Sequence, residues 1–212
     1  MLSALARDVI RRETSEVVAE LLTSGPGAAI RLALGSARDS WPDRWRGALS
    51  PALQESALAA TEDAAPELGE LDFANPKMAE AFEDYVIPLS EEVAGTTAED
   101  LTGVIREAQR GGLSVPDTAA RLREKGEDLS RRRSLLIART ELIRSSNVAS
   151  RLQMEESGVV GSITWTATMD ERTRPEHRAM DGETVPIGER FSNGLRQPGE
   201  PNCRCTIQGN IR

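Results

Sequence analysis

The residues best suited to binding a metal or moving a proton lie close together near the C-terminus. The single histidine, His177, and the only two cysteines, Cys203 and Cys205, fall within 29 positions of one another. Imidazole nitrogens and thiolates bind transition metals, and histidine also exchanges protons near neutral pH. Asp170 and Asp181 lie in the same stretch and could serve as further ligands or as partners of the histidine. This segment is therefore where the sequence predicts a functional site.

The first interpretation of this segment is a metal site, and zinc is the ion that suits its ligands. His177, Cys203 and Cys205 would supply three ligands, with Asp170 or Asp181 as the fourth. The spacing matches no zinc-finger or zinc-ribbon pattern, because one residue separates the cysteines and 25 residues separate them from the histidine. Residues 169–212 contain few large apolar side chains, so a metal would also stabilise a module that is poor in core.

Two other interpretations of the histidine stay open. In one, His177 is a general acid or base oriented by Asp181 four residues later, with Arg172 or Arg174 holding an anion. In the other, His177 is a structural residue bonded to a loop carbonyl or carboxylate, and the cysteines are buried as small apolar side chains. No nucleophile motif, phosphate-binding loop or pair of metal-binding acids is evident, which argues against an enzyme.

A long series of predicted helices precedes this segment. Apolar residues at helical spacing, with proline and glycine as breaks, predict helices over these ranges: 2–22, 27–38, 51–64, 76–93, 97–110, 114–126 and 130–157. Trp41-Pro42 is predicted to end one helix and open another, Pro88 to break or kink the chain, and Thr97 to cap a helix.

The helix over 130–157 is the most regular of these. Its predicted buried seam has steps of three and four residues: Leu135, Ala138, Leu142, Ser145, Ala149 and Leu152. The face that carries Arg139, Asn147 and Arg151 is polar.

The periodicity changes after Gly158. Alternating apolar and threonine residues predict a strand over 163–168, and shorter strands are predicted at 184–187 and 205–208. Between them, Thr173 is predicted to cap a short helix that ends at Gly182. The predicted fold class is α+β: mainly α-helical N-terminal and middle regions, followed by a small C-terminal β and loop module.

The net charge of −8 is unevenly distributed along the chain. Residues 47–130 carry 6 basic and 18 acidic side chains, whereas residues 131–212 carry 13 basic and 10 acidic ones, and all 13 are arginines. Arginine suits bidentate pairing with carboxylate or phosphate. No apolar run approaches the ~18–20 residues of a membrane span, and the N-terminus lacks the pattern of a signal peptide. Two cysteines this close make a poor disulfide framework, which predicts synthesis in a reducing cytoplasm.

Several short motifs occur in a specific order along the second half of the chain. Their residues are Arg139, Thr140, Glu141, Asn147, Trp165, Asp170, Arg172, Arg174, His177, Asp181, Gly182, Asn202, Cys203, Arg204 and Cys205. This order resembles the phage minor head protein family, also called the head morphogenesis or MuF-like family. The resemblance extends over about residues 75–207.

The resemblance implies a structural protein of a tailed-phage or prophage head that is made in the host cytoplasm and ends in the virion. Its implied partners are the portal and the major capsid or scaffold proteins, with packaged DNA as a further candidate and no membrane or small-molecule substrate. Some relatives of this kind carry toxin or enzymatic domains. On this view residues 1–70 are a partner-binding helical region and residues 71–212 the family module, with helices over 76–157 and the β and loop element over 158–212.

The resemblance leaves the role of the C-terminal cluster undecided. Arg139 and Glu141 are expected to form ion pairs that tie the long helix to the segment from Asp170 to His177. The alternative function is a metal-dependent, nuclease-like enzyme delivered with the phage genome.

Overall fold

The fold is α+β, as predicted, with the helices first and a small sheet near the C-terminus. This computed structural model describes all 212 residues, of which 68% are helical. The elements in chain order are α1 (Leu2–Ser24), α2 (Pro26–Asp39), α3 (Trp41–Thr61), α4 (Ala65–Leu68), α5 (Pro76–Arg110), α6 (Val115–Ser157), β1 (Val160–Thr166), α7 (Pro175–Ala179), β2 (Thr184–Pro186) and β3 (Thr206–Ile211). None of the helices has both the length and the apolar character needed to cross a membrane.

Several predicted helix ends are wrong, because α3, α5 and α6 each continue past a predicted end. Helix α3 contains Pro51, and α5 contains Pro88. A proline inside a helix costs about 3 kcal/mol, and burial of the neighbouring Val86 and Leu89 offsets that cost at Pro88. The Thr97 hydroxyl caps no helix and instead donates to the Val93 carbonyl 2.8 Å away, within the same helix.

Gly126 is the third such position and lies inside α6. A Cβ atom added there would lie 2.5 Å from Cγ2 of Thr14, which is buried on α1. Glycine at this position permits the close approach of α1 to α6, so its role is packing and not helix termination.

The chain divides into two compact units. The first comprises residues 1–52 and 83–138, and the second comprises residues 53–82 and 139–212. The first unit is helical, and its largest fully buried side chains include Trp41 and Trp45. Trp41 Nε1 donates to the Glu16 carboxylate at 3.1 Å, and Arg44 pairs with the same carboxylate at 2.9 Å.

The second unit contains the sheet, whose strand order is β2-β1-β3 with both pairings antiparallel. Trp165 on β1 lies opposite Ile207 on β3, and Ile163 lies opposite Val185 on β2. The core of this unit consists of nine buried residues: Val160, Ile163, Trp165, Ala167, Met180, Phe191, Cys203, Cys205 and Ile207. Leu68 and Met154 pack against it.

The buried face of α6 differs from the predicted seam. Ala138, Ser145 and Ala149 are buried as expected, but Leu135 and Leu142 are 45% and 41% exposed. Asn147 and Arg151, which were assigned to a polar face, are buried. The reason is that both side chains have hydrogen-bond partners: Asn147 donates to the Pro198 and Cys205 carbonyls, and Arg151 donates to the Gln197 and Glu155 side chains.

Candidate metal centre

His177, Cys203 and Cys205 meet in the interior of the second unit. His177 comes from α7, and the two cysteines immediately precede β3. All three side chains are buried, and one potential ligand atom from each lies within 4.8 Å of the others. The cysteines are not joined by a disulfide. The chain therefore forms a His/Cys/Cys cluster that could hold a metal ion.

The two distances from the histidine nitrogen to the sulfurs suit a tetrahedral ion. Nδ1 of His177 lies 3.5 Å from Sγ of Cys203 and 3.6 Å from Sγ of Cys205. Zinc ligands at about 2.3 Å for sulfur and about 2.0 Å for nitrogen, seen at a tetrahedral angle, lie about 3.5 Å apart. A neutral imidazole nitrogen has one lone pair, so it can accept a hydrogen bond from only one of the two thiols. A shared cation would satisfy both sulfurs at once.

The other ring nitrogen of His177 has its own partner. Nε2 contacts Oε2 of Glu200, a half-exposed carboxylate whose Oε2 also lies 3.9 Å from Nη1 of Arg174. A proton on Nε2, shared with Glu200, leaves the lone pair on Nδ1 facing the sulfurs. A carboxylate on the far side of a histidine ring is the usual second contact of a metal-binding histidine.

Aromatic packing also fixes the orientation of the histidine ring. Trp165 stands edge to face against His177, with ring centroids 5.3 Å apart and an interplanar angle of 82°. Phe191 makes the same kind of contact with Trp165. Burial raises the pKa of the Cys203 thiol to about 11, so in the absence of a cation this thiol stays neutral at physiological pH.

Asp181, which was expected to orient His177, lies elsewhere. Helix α7 ends at Ala179, so Asp181 is past the helix and not on the same face as the histidine. Its Oδ1 accepts a hydrogen bond from the Ala167 backbone N–H at 2.8 Å, and Gly182 follows with a positive φ of 82°. Glu200, which no local spacing pointed to, occupies the position expected of Asp181.

Asp170 is held by arginine outside the cluster. Its two oxygens accept from Nη1 and Nη2 of Arg204 at 2.5 Å each, and Oδ1 also accepts from the Arg172 backbone N–H at 2.9 Å. The Arg204 guanidinium lowers the pKa of Asp170 well below its usual range. The predicted cap also differs, because the Thr173 hydroxyl donates to the Thr168 carbonyl and α7 begins after Arg174.

Helix α6 holds the loop that carries the cysteines. Asn147 donates to the carbonyls of Pro198 and Cys205 at 3.1 and 3.0 Å, and its Oδ1 accepts from the Thr206 hydroxyl at 2.9 Å. Thr140 Oγ1 accepts from the Asn202 backbone N–H at 3.1 Å. Two motif residues of α6, Asn147 and Thr140, thus fix the backbone on either side of Cys203 and Cys205.

The expected ion pairs between α6 and the segment from Asp170 to His177 take a different form. Glu141 is buried and pairs with Arg144 on its own helix at 3.3 Å, and Arg144 Nε donates to the Gly199 carbonyl. Arg139 is exposed and forms no salt bridge. The helix is therefore attached to the loop before the cysteines and not to the segment around α7.

A small cavity of about 90 Å³ lies against the cluster. Its lining comprises Arg172, Thr173, Arg174, His177, Asn202, Cys203, Arg204 and Cys205. Asn202, at its edge, has a positive φ of 57°, a conformation that asparagine tolerates better than most residues. The cavity is large enough for a few water molecules but not for a nucleotide or a sugar.

Comparisons with known proteins identify a protein family whose model matches this region of the chain. The model of the family described as Phage Mu protein F like protein matches residues 99–208, just over half of the chain. The NAD(+)--arginine ADP-ribosyltransferase EFV of Enterococcus faecalis (strain ATCC 700802 / V583) is 33% identical over 122 residues, which cover 51% of this chain and 25% of that protein.

An uncharacterized protein of Haemophilus influenzae (strain ATCC 51907 / DSM 11121 / KW20 / Rd) is 24% identical over 119 residues, or 56% of this chain and 26% of that protein. The chain thus spans about a quarter of the length of these two curated relatives. No solved structure matches it.

Proposed function

This chain belongs to the phage Mu protein F-like family, and from that membership we propose that it is a minor head protein of a tailed phage or prophage. In this proposal it acts in head assembly and DNA packaging by associating with the portal and with capsid or scaffold proteins, and it is carried in the virion. The observation that carries the proposal is the family match over residues 99–208, which includes both α6 and the His/Cys/Cys cluster.

The geometry of the cluster supports a structural role over a catalytic one. His177, Cys203 and Cys205 are 2%, 5% and 3% exposed, and the cavity beside them measures about 90 Å³. Small-molecule substrates are usually bound in pockets of about 300–1,000 Å³. The adjoining groove of about 500 Å³ is lined by Cys203 but not by His177 or Cys205. The hydrogen bonds of Asn147 and Thr140 hold the cysteine loop against α6. Such contacts suit a site that stabilises the shape of a protein-binding surface.

The metal in this proposal is zinc, bound by Nδ1 of His177 and by both thiolates. Two thiolates and a neutral imidazole would make the bound site electrically neutral, which suits its burial. Zinc would join α7 to the segment before β3 in a unit whose own core is small. Elemental analysis of protein purified without a His tag is expected to give about one zinc per chain.

The metal assignment has a matched set of variants. Cys205→Ser is expected to lose zinc, whereas Asp170→Asn, which changes an exposed carboxylate outside the cluster, is expected to retain it. Chelator is expected to lower the thermal midpoint of the parent protein and leave that of Cys205→Ser unchanged. Zinc-free protein with an unaltered midpoint in chelator would refute the metal assignment and leave the assembly role standing.

The ADP-ribosyltransferase relative bears on the same proposal. Only a quarter of that protein matches this chain, and we assign the shared segment to head assembly and the transferase activity to the rest of that protein. Purified chain incubated with labelled NAD⁺ and an arginine-rich acceptor is expected to transfer no label. Transfer would contradict this assignment.

The assembly role is tested in the phage that encodes the chain. Deletion of the gene is expected to reduce the yield of infectious particles, and the tagged protein is expected to co-purify with the portal. Purified protein is expected to leave linear DNA intact with and without divalent metal. DNA cleavage that His177→Ala abolishes would favour the nuclease-like alternative instead.

A further inference from the structure

We propose that the metal centre keeps one coordination position for a carboxylate supplied by a partner polypeptide. This inference rests on the zinc site of the proposed function and adds a ligand to it. Zinc is almost always four-coordinate in protein sites, and three potential ligand residues meet in this cluster. The fourth ligand must come either from a neighbouring side chain or from outside the chain.

The neighbouring carboxylates are committed to other contacts. Asp170 is paired with Arg204 through both oxygens, and Asp181 accepts from the Ala167 backbone N–H. Glu200 contacts Nε2 of His177, on the side of the ring opposite the sulfurs. A metal bound to Nδ1 would therefore find no carboxylate of this chain on its own side of the imidazole.

Space for an external ligand lies directly beside the cluster. The lining of the cavity of about 90 Å³ includes His177, both cysteines, Arg172 and Arg174. At a liquid volume of about 30 Å³ per water molecule, this space holds roughly three waters or one carboxylate group.

Charge determines which ligand this cavity favours. A zinc ion with two thiolates and a neutral imidazole carries no net charge, so an anionic ligand would leave one negative charge unbalanced. Arg172 is exposed and forms no salt bridge, whereas Arg204 is paired with Asp170. The Arg172 guanidinium can therefore pair with the incoming carboxylate.

A wider groove indicates that the carboxylate belongs to a polypeptide. This groove, of about 500 Å³, shares Arg172, Asn202, Cys203 and Arg204 with the small cavity and continues over Arg139, Leu142 and Ile143. Leu142 is 41% exposed. An acidic side chain flanked by apolar residues would place its carboxylate in the small cavity and its neighbours on Leu142, between two arginines that form no salt bridge within the chain.

Cobalt substitution makes the fourth position visible, because tetrahedral Co²⁺ bound to thiolates absorbs in the visible range and its spectrum responds to ligand exchange. The cobalt-loaded full chain would be titrated with acetate and with the blocked tripeptide acetyl-Leu-Glu-Leu-amide. Both are expected to change the spectrum saturably, with the peptide effective at a concentration about tenfold lower, or about 1.4 kcal/mol.

Three variants separate the contribution of the arginine to ligand binding from that of the apolar groove. Arg172→Ala is expected to raise the half-saturating concentration of both ligands at least about threefold, and Leu142→Ala that of the peptide only. Arg190→Ala, an exposed arginine that does not line the cavity, is expected to change neither. Each of these side chains is exposed, so the folded state should tolerate the substitutions.

The results that would contradict the zinc site, the open coordination position and the polypeptide partner differ from one another. Protein that binds no cobalt would overturn this inference together with the zinc site itself. Protein that binds cobalt with a spectrum insensitive to both ligands would overturn only the open position, and a spectral change in Asp170→Asn would then identify Asp170 as the fourth ligand. If acetate changes the spectrum at the same concentrations as the peptide, the proposal of a polypeptide partner is wrong. It is also wrong if a DNA oligonucleotide changes the spectrum and neither acetate nor the peptide does.

Discussion

Glu13 on α1 provides a quantitative test of the first unit, because its carboxylate is buried without a hydrogen-bond partner. The side chain is fully buried, and neither Oε1 nor Oε2 has a hydrogen-bond partner. Burial raises the pKa of Glu13 from 4.5 to about 8, although Arg44, the Trp45 side chain and Arg133 oppose the shift. At pH 7 Glu13 is therefore protonated in the folded protein and ionised in the unfolded chain.

The sign of the pH dependence follows from these two pKa values. Below pH 4.5 the carboxyl group is protonated in both states and adds no pH dependence to the free energy of unfolding. Between pH 4.5 and about 8 folding takes up a proton, so the free energy of unfolding falls by up to about 1.4 kcal/mol per pH unit. The accumulated loss is about 3 kcal/mol at pH 7 and about 5 kcal/mol above pH 8.

Glu13→Gln keeps the shape of the side chain and removes its titration. We expect the variant to be more stable than the parent by about 3 kcal/mol at pH 8.5, after allowance for burial of an amide. At pH 4 we expect no gain. Urea unfolding at pH 4, 6 and 8.5 would measure the difference, with Trp165→Phe as background so that Trp41 and Trp45 report on the first unit.

Glu20→Gln is the matched control, since it makes the same substitution at a half-exposed position of the same helix. It is expected to leave the difference in stability between pH 4 and pH 8.5 as in the parent. Parallel pH profiles for the parent and Glu13→Gln would refute the argument, because the buried carboxyl group would then not be the source of the pH dependence.

Three further substitutions test the packing and the electrostatics of the fold. Asn147→Ala removes three hydrogen bonds to the cysteine loop and β3, and a loss of about 2–4 kcal/mol is expected, measurable as faster amide hydrogen exchange in β3; unchanged exchange would contradict it. Asp170→Asn weakens the ion pair with Arg204, and in the parent protein this pair lowers the pKa of Asp170. The pair stabilises the fold above the ordinary pKa of 3.8, and this stabilisation is lost as the pH falls below that value. The variant is therefore expected to lose less stability than the parent below about pH 4. Gly126→Ala places a methyl group against Thr14 and is expected to cost about 1–3 kcal/mol, whereas the control Gly103→Ala, with no atom within 4 Å of the added Cβ, should be neutral or gain up to about 1 kcal/mol in thermal unfolding.

Local patterns predicted the elements of this fold better than their ends. The apolar periodicity of α1 and the alternation in β1 gave helices and strands close to those observed. The helix end predicted near Gly126 was wrong, because the contact of Gly126 with Thr14 joins residues distant in sequence. Pro88 was predicted to break or kink the chain, and α5 continues through it. A single sequence contains no signal for such contacts.

The residues of the candidate site could also be predicted from the sequence only in part. Residue type alone identified His177 and the cysteines, and the structure brings these three together. The partner of the histidine could not be inferred, because helical spacing pointed to Asp181, whereas α7 ends two residues earlier and the folded loop presents Glu200. The assignment of that carboxylate requires knowing how the loop before the cysteines lies on α6.

The contacts of the Gln153 side-chain amide determine which fragments of this protein can be expected to fold. It donates to the carbonyls of Thr61 and Gly69 at 3.0 and 2.7 Å, so α6 is joined to a segment some 90 positions earlier in the chain. A fragment that starts at residue 99, where the family match begins, would keep the metal cluster but remove both acceptors together with Leu68. An expression fragment intended to fold as the second unit therefore has to include residues 53–82. The boundaries of the family match are a poor guide to the boundaries of the folded module.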